Sequence, residues 1–164
     1  MMTTQSQPAT ISKFNDFIEK CRESVPEVFP WDLVEEIQQD NSILLLDIRE
    51  PYEFHVMHIE GSLSAPRGIL ESAVEWGYEE TVPELVEARD RKIVIICRAG
   101  NRSLLAGRTM QLMGYTRVSS LKTGLRGWND FEQPLVDSTG NEVVLDVADD
   151  YFTSRVSDAQ LGKK

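Results

Sequence analysis

The chain has 164 residues, 41% of them hydrophobic and 27% charged, enough for one domain with a hydrophobic core and too short for two comfortable ones. Its net charge of −10 argues against nucleic acid as a partner, and no apolar run approaches the roughly 18 residues of a membrane span. Two cysteines, Cys21 and Cys97, without CxxC or Cys/His spacing, exclude a disulfide framework and point away from a metal site. The start, "MMTTQSQPATISKF", lacks the charged and apolar regions of a secretory signal, so a reduced, cytoplasmic protein is expected.

Residues 1–10 read as a flexible tail. Phe14, Phe17, Ile18 and Cys21 then recur at helical spacing with Ser12 as a cap, which predicts a short amphipathic helix with Cys21 facing the core. Pro26 and Pro30 interrupt the chain before a second helix over about 31–39, with Leu33, Val34 and Ile37 inward. "SILLLDI" predicts a buried strand ending at Asp47, and the stretch from Arg49 opens a helical turn with Pro51 near its first position. "GSLSAP" (61–66) reads as a short strand, and Thr81 with Glu84 has the spacing of a capping box. "KIVIIC" is the strongest strand of the chain. A helix over 102–113 follows, with Leu105, Thr109 and Leu112 on one side and Gly114 as its stop. "TRVSSL" is a further strand, and "GLRGWNDF" makes a turn and a final helix. Short apolar strands alternating with helices imply an α/β fold, with a parallel sheet covered on both faces. After Pro134, two apolar runs around a glycine predict a hairpin, and the last 15 or so residues are polar and expected to fray.

Charge is unevenly spread. Between Arg91 and Asn129 stand eight Lys or Arg and no acid, so a local positive field around Cys97 is expected, against the plainer reading of one solvated basic face. Cys97 closes its strand, and ligands of parallel sheets bind outside the carboxyl ends of the strands. Residues 98–102 form a tight loop into the next helix, where Gly100 can take positive φ and turn successive amides toward the sulfur. The helix N-terminus, Arg98 and Arg102 add positive charge, and each effect favours thiolate over thiol. Against this stands the reading of Cys97 as a small buried hydrophobe, which needs neither flanking arginines nor the glycine.

"LLLDIREPYEF", "HIEGSLSAP", "IVIICRAGNRS", "GY..V..L" and "TGLRGW" follow in the order and spacing of a single rhodanese domain, which residues 25–134 resemble. Residues 1–24 are then a tail and helix added in front, and 135–164 a C-terminal extension. The resemblance implies an open five-stranded parallel sheet with helices on both faces, and a six-residue loop from Cys97 to Arg102. Related phosphatases and arsenate reductases carry one residue more in that loop. The segment Met57-His58-Ile59-Glu60-Gly61-Ser62 lacks a Gly and a Pro usual in the family, and Thr123-Gly124 stands where it has Gly-Gly.

The resemblance implies a sulfurtransferase that needs no cofactor. Cys97 takes sulfane sulfur from thiosulfate or a related anionic donor and passes it to cyanide or a thiol. The loop Arg98, Ala99, Gly100, Asn101, Arg102 and Ser103 holds the persulfide, Arg98 meets the anion, and Arg102 either does likewise or anchors the loop through a carboxylate. Asp47 and Arg49 brace the loop, and His58 braces a turn rather than acting as a base, since attack by a thiolate on sulfur removes no proton. Trp128 is expected to pack. The alternative is a carrier or sensing module that exchanges sulfur with a relay protein.

Overall fold

The computed structural model describes residues 13–163, so the tail and the Ser12 cap lie outside the described residues. Helix α1 (Phe14–Arg22) leads to strand β1 (Glu27–Val28), α2 (Pro30–Gln39), β2 (Leu44–Asp47), α3 (Pro51–Val56) and β3 (Leu63–Ser64). Two short helices, α4 (Leu70–Ala73) and α5 (Pro83–Val86), precede β4 (Ile93–Ile96), α6 (Asn101–Leu112), β5 (Val118–Leu121) and α7 (Gly124–Asp130). A last helix, α8 (Leu145–Phe152), follows a turn.

The five strands form one open, all-parallel sheet in the order β1-β5-β4-β2-β3, as expected for an α/β fold of this kind. Its central strand β4 is apolar at every position because both faces are covered. Leu44, Leu46, Ile93, Ile95 and Cys97 face α4, α5 and α6, where they meet Leu70, Leu85, Ala106 and Met110. Leu45, Val94 and Ile96 face the other way, against Leu33 of α2, Leu125 and Trp128 of α7 and Phe152 of α8. Trp128 packs there, as expected, and its ring N–H donates to the Pro134 carbonyl at 3.0 Å. No helix among the described residues is long and apolar enough to cross a membrane.

Several local expectations are corrected. In α1 only Ile18 and Cys21 are buried, against Leu104 and Leu105 of α6, while Phe14 and Phe17 are 57% and 50% exposed. Helix α6 begins at Asn101 and buries Ser103, Ala106, Gly107 and Met110, whereas Leu112 is 72% exposed. Its inner face is therefore lined with small residues that bring the helix close to the sheet. Thr81 does not cap α5, which begins after Val82; its hydroxyl donates instead to the Glu75 carbonyl. The capping box lies at α3, where Glu50 and Glu53 each bond the other's backbone N–H. Beyond Pro134 the hairpin is short: Val136 bridges Glu142 antiparallel and Val143 N–H donates to the Leu135 carbonyl at 2.8 Å around a turn at 137–141, after which the chain winds into α8 from Leu145.

Candidate active site

Cys97 follows the last residue of β4, beside the end of β2, where Ile48 N–H donates to the Ile96 carbonyl at 3.0 Å. Its side chain alternates to the α6 face and lies beneath the first turn of that helix. The residue is 1% exposed. Its surroundings are polar all the same. Gly100 N–H donates to Sγ at 3.0 Å, Ser103 N–H at 3.4 Å, and the Ser103 hydroxyl sits 3.3 Å away. Gly100 reaches this position at φ +96°, a conformation costly for any residue with a Cβ. The loop is pressed from the other side by the β5–α7 turn. There Leu125 N–H donates to the Cys97 carbonyl at 2.9 Å, and a Cβ on Gly124 would stand 2.5 Å from Cys97 and Arg98 backbone atoms. Of the predicted loop residues, Ala99 and Asn101 are exposed, and the amides aimed at the sulfur itself are those of Gly100 and Ser103.

The two arginines of the loop take different partners. Arg102 forms a two-pronged pair with Glu53 of α3, at 2.8 and 2.9 Å. Burial pushes the Glu53 carboxyl up, but the Arg102 guanidinium, the Glu50 amide and the charge of Arg49 outweigh it and hold the group below the ordinary carboxylate range. Arg98 points to α8, where Nη2 donates to the carbonyls of Phe152 at 3.0 Å and Thr153 at 3.4 Å. Its charge thus caps the negative end of a helix. The expected free positive field is reduced accordingly. Arg91 and Lys92, at the other end of the basic segment, pair with Glu84 and Glu36.

Asp47 and Arg49 pair at the carboxyl end of β2, and Arg49 also reaches the end of α3. Arg49, 0% exposed, donates through Nε and Nη2 to the Asp47 carboxylate at 2.8–3.1 Å and through Nη2 to the Met57 carbonyl at 2.7 Å. Pairing offsets much of the cost of removing these two charges from water, although Nη1 of Arg49 is buried without a partner. His58, next in the chain, stacks on Phe54 with ring centroids 3.9 Å apart, and its Nδ1 donates to the Phe54 carbonyl at 2.8 Å. Its backbone pairs both ways with Val136. None of these contacts involves Cys97. Two small clefts flank the Arg102–Glu53 pair. One of about 280 Å³ lies among Tyr52, Glu53, Arg98, Tyr151, Thr153 and Arg155; the other of about 450 Å³ lies among Ile48, Glu50, Arg67, Gly68, Glu71 and Arg102.

Sequence reasoning missed three contributors. Glu53 is 49 positions from Arg102, and only the spacing of the Glu50–Glu53 capping box marked it as an ordered side chain. Ser120, in the middle of β5, places its hydroxyl 2.7 Å from that of Ser103, and no periodicity identifies it. The third is α8, hidden in a run that reads equally well as a strand.

Comparison with known proteins agrees with this geometry. The family model described as a rhodanese-like domain matches residues 30–131. A Bacillus subtilis protein named "Putative sulfur carrier protein YrkF" is 33% identical over 105 residues, 64% of this chain and 51% of that one. A protein of Allochromatium vinosum named "Sulfurtransferase" is 29% identical over 116 residues, 71% of this chain and 99% of its own length. The structure of the Rhodopseudomonas palustris protein RPA3614, called there of unknown function and "Possible Tyrosine Phosphatase", superimposes with a TM-score of 0.68 at 30% identity, covering 79% of this chain and 98% of that one. The chain thus spans about half the length of the Bacillus relative and nearly all of the other two. With the matched segment taking in the sheet from β2 onward, the cysteine loop and α7, the chain belongs to the family of rhodanese-like domains.

Proposed function

We propose that the protein is a sulfurtransferase that carries sulfane sulfur as a Cys97 persulfide. The observation that supports it is the seat of the sulfur: two backbone N–H groups and a hydroxyl converge on Sγ inside a six-residue loop at the N-terminus of α6. Such donors stabilise an anionic sulfur and would hold a persulfide equally well.

The reaction divides into two displacements. Cys97 thiolate attacks the outer sulfur of thiosulfate or a related donor; the new S–S bond forms as the donor's S–S bond breaks, and sulfite leaves with that electron pair. Cyanide or a thiol then attacks the outer sulfur of the persulfide, and the thiolate returns. No step needs a general base, which agrees with His58 being occupied by the Phe54 carbonyl. The brace of Asp47 and Arg49 and the Arg102–Glu53 anchor act by holding the loop in shape. We place this chemistry in the cytoplasm, where thiol reductants keep Cys21 and Cys97 reduced.

The decisive measurement is thiocyanate formed from thiosulfate and cyanide by the native protein and by Cys97→Ser. Activity in the first and none in the second supports the reading. Hydrolysis of an aryl phosphate by the native protein would overturn it, because a six-residue loop is expected to be too short to seat a phosphate.

A second reading, that of a protein-to-protein sulfur carrier, is favoured by the position of Arg98. Its guanidinium is bonded to the end of α8 instead of being offered to a small anion. Under this reading thiosulfate turns over slowly, yet Cys97 gains the mass of one sulfur atom when mixed with a persulfide-bearing partner protein.

A further inference from the structure

Ser120 stands in a strand flanked by β1 and β4, is 0% exposed, and lies between Val118 and Leu121 of the core. A hydroxyl buried there is unfavourable unless it is hydrogen-bonded. Its partners are the Ser103 hydroxyl at 2.7 Å and, at 3.4 Å, the Gly100 carbonyl. Ser103 in turn lies 3.0 Å from the same carbonyl and 3.3 Å from Sγ of Cys97. The two serines therefore share two hydroxyl protons among four buried acceptors: the Gly100 carbonyl, the two serine oxygens and the sulfur.

Counting these protons separates the two states of the sulfur. A thiol can donate to the Ser103 oxygen, leaving the Ser103 proton free for the Gly100 carbonyl. An anionic sulfur only accepts, and the Ser103 proton must turn toward it. With Ser103 alone, that turn would strip the buried carbonyl of its hydroxyl donor, a loss comparable to the bond gained. The Ser120 hydroxyl eases the conflict because it lies within reach of both the Ser103 oxygen, at 2.7 Å, and the carbonyl, at 3.4 Å, so its one proton can be shared between them while the Ser103 proton turns to the sulfur.

We propose that Ser120 is a positioning residue for Cys97, acting through Ser103 to keep a hydroxyl proton directed at the sulfur whenever it is anionic. This rests on the reading of Cys97 as the reactive sulfur and adds to it a residue on β5, well away in sequence from the cysteine loop. The test is the rate of Cys97 alkylation by iodoacetamide against pH, followed on the Cys97 peptide by mass, for native protein, Ser120→Ala, Ser103→Ala and the double variant. Ser120→Ala is expected to slow alkylation at neutral pH about threefold to tenfold, the worth of one ordinary hydrogen bond. The rates should converge at alkaline pH, and Ser120→Ala should add nothing in the Ser103→Ala background. Superimposable profiles, equal slowing at every pH, or an undiminished effect without Ser103 would each overturn the proposal. Alkylation uses no sulfur donor, so this outcome and the thiocyanate assay are read separately.

Discussion

The cysteine loop and helix α8 meet at one guanidinium, that of Arg98, and they are held in place on very different terms. The loop is fixed from every side. Its amides are bonded to a buried sulfur, its carbonyls accept from Leu125 and Arg126, and Gly124 lets backbone pass backbone at a distance no Cβ would allow. Helix α8 has eight residues, two of them buried, and is tied to α7 by a side-chain bond from Asn129 to Asp149 at 2.6 Å. A helix that short draws its stability from docking rather than from its own backbone. The loop is thus expected to change only when the whole sheet unfolds, and α8 to open locally at much lower cost.

The largest effect that would sharpen this contrast is at Gly124. Gly124→Ala adds a methyl at φ +59°, 2.5 Å from the Cys97 carbonyl oxygen, and should cost about 3 kcal/mol in chemical denaturation, combining backbone strain with a clash. A loss below about 1 kcal/mol would mean that the loop is softer than its packing implies.

Next comes the anchor. Glu53→Gln leaves Arg102 with a neutral partner and should cost about 1–2 kcal/mol, discounted because Arg102 is partly exposed to solvent. Its pH dependence has a definite sign. The Glu53 carboxyl is held below its ordinary value in the folded protein, so its contribution is fully present above the unfolded value and disappears as pH falls through the folded one. Unfolding curves of native and variant protein should therefore converge on acidification and stay apart at neutral pH.

Smaller still is the opening of α8. Asn129→Ala should raise amide exchange in 145–152 about fivefold, near 1 kcal/mol for one hydrogen bond, with exchange in β4 unchanged. Arg98→Ala should act on α8 in the same direction, by a few-fold, since it removes a charged cap from the last carbonyls. If β4 exchange rose in step with α8, the two regions would be one cooperative unit and the comparison would fail.

The smallest effect has the opposite sign. Thr123 is β-branched and sits at φ +67°, where the family pattern has glycine. Thr123→Gly should relieve about 1–2 kcal/mol of strain and return about half of it as lost chain entropy, for a net gain of up to about 1 kcal/mol in thermal unfolding.

Much of this molecule was legible from residue order. The run from Lys92 to Cys97 could only be a strand covered on both faces, and the Gly100 position with the following helix could be read from the chemistry of glycine and of helix ends. Asp47 and Arg49 were readable as a pair only through the resemblance to rhodanese domains. Where prediction failed, the deciding contact lay far away. The face of α6 turned on the small side chains of Ser103, Ala106 and Gly107 meeting the sheet, although Leu112 is the more hydrophobic residue. The run before Phe152 became a helix because Ala148 and Phe152 at i, i+4 fit the surface of α7 and its neighbours, while Val143 and Val144 lie ahead of it.

Residue order alone therefore determined the parallel sheet, the place of Cys97 at its carboxyl edge and the glycine-bearing turn that follows, because alternation, strand ends and backbone freedom are local properties. Tertiary structure alone decided where the charges and hydroxyls of the site are directed. Arg102 found Glu53, Arg98 found the carbonyl end of α8, and Ser120 came to rest beside Ser103. Hydrogen bonds such as these are satisfied by whatever group the fold brings within about 3 Å, and spacing along the chain carries no record of that distance.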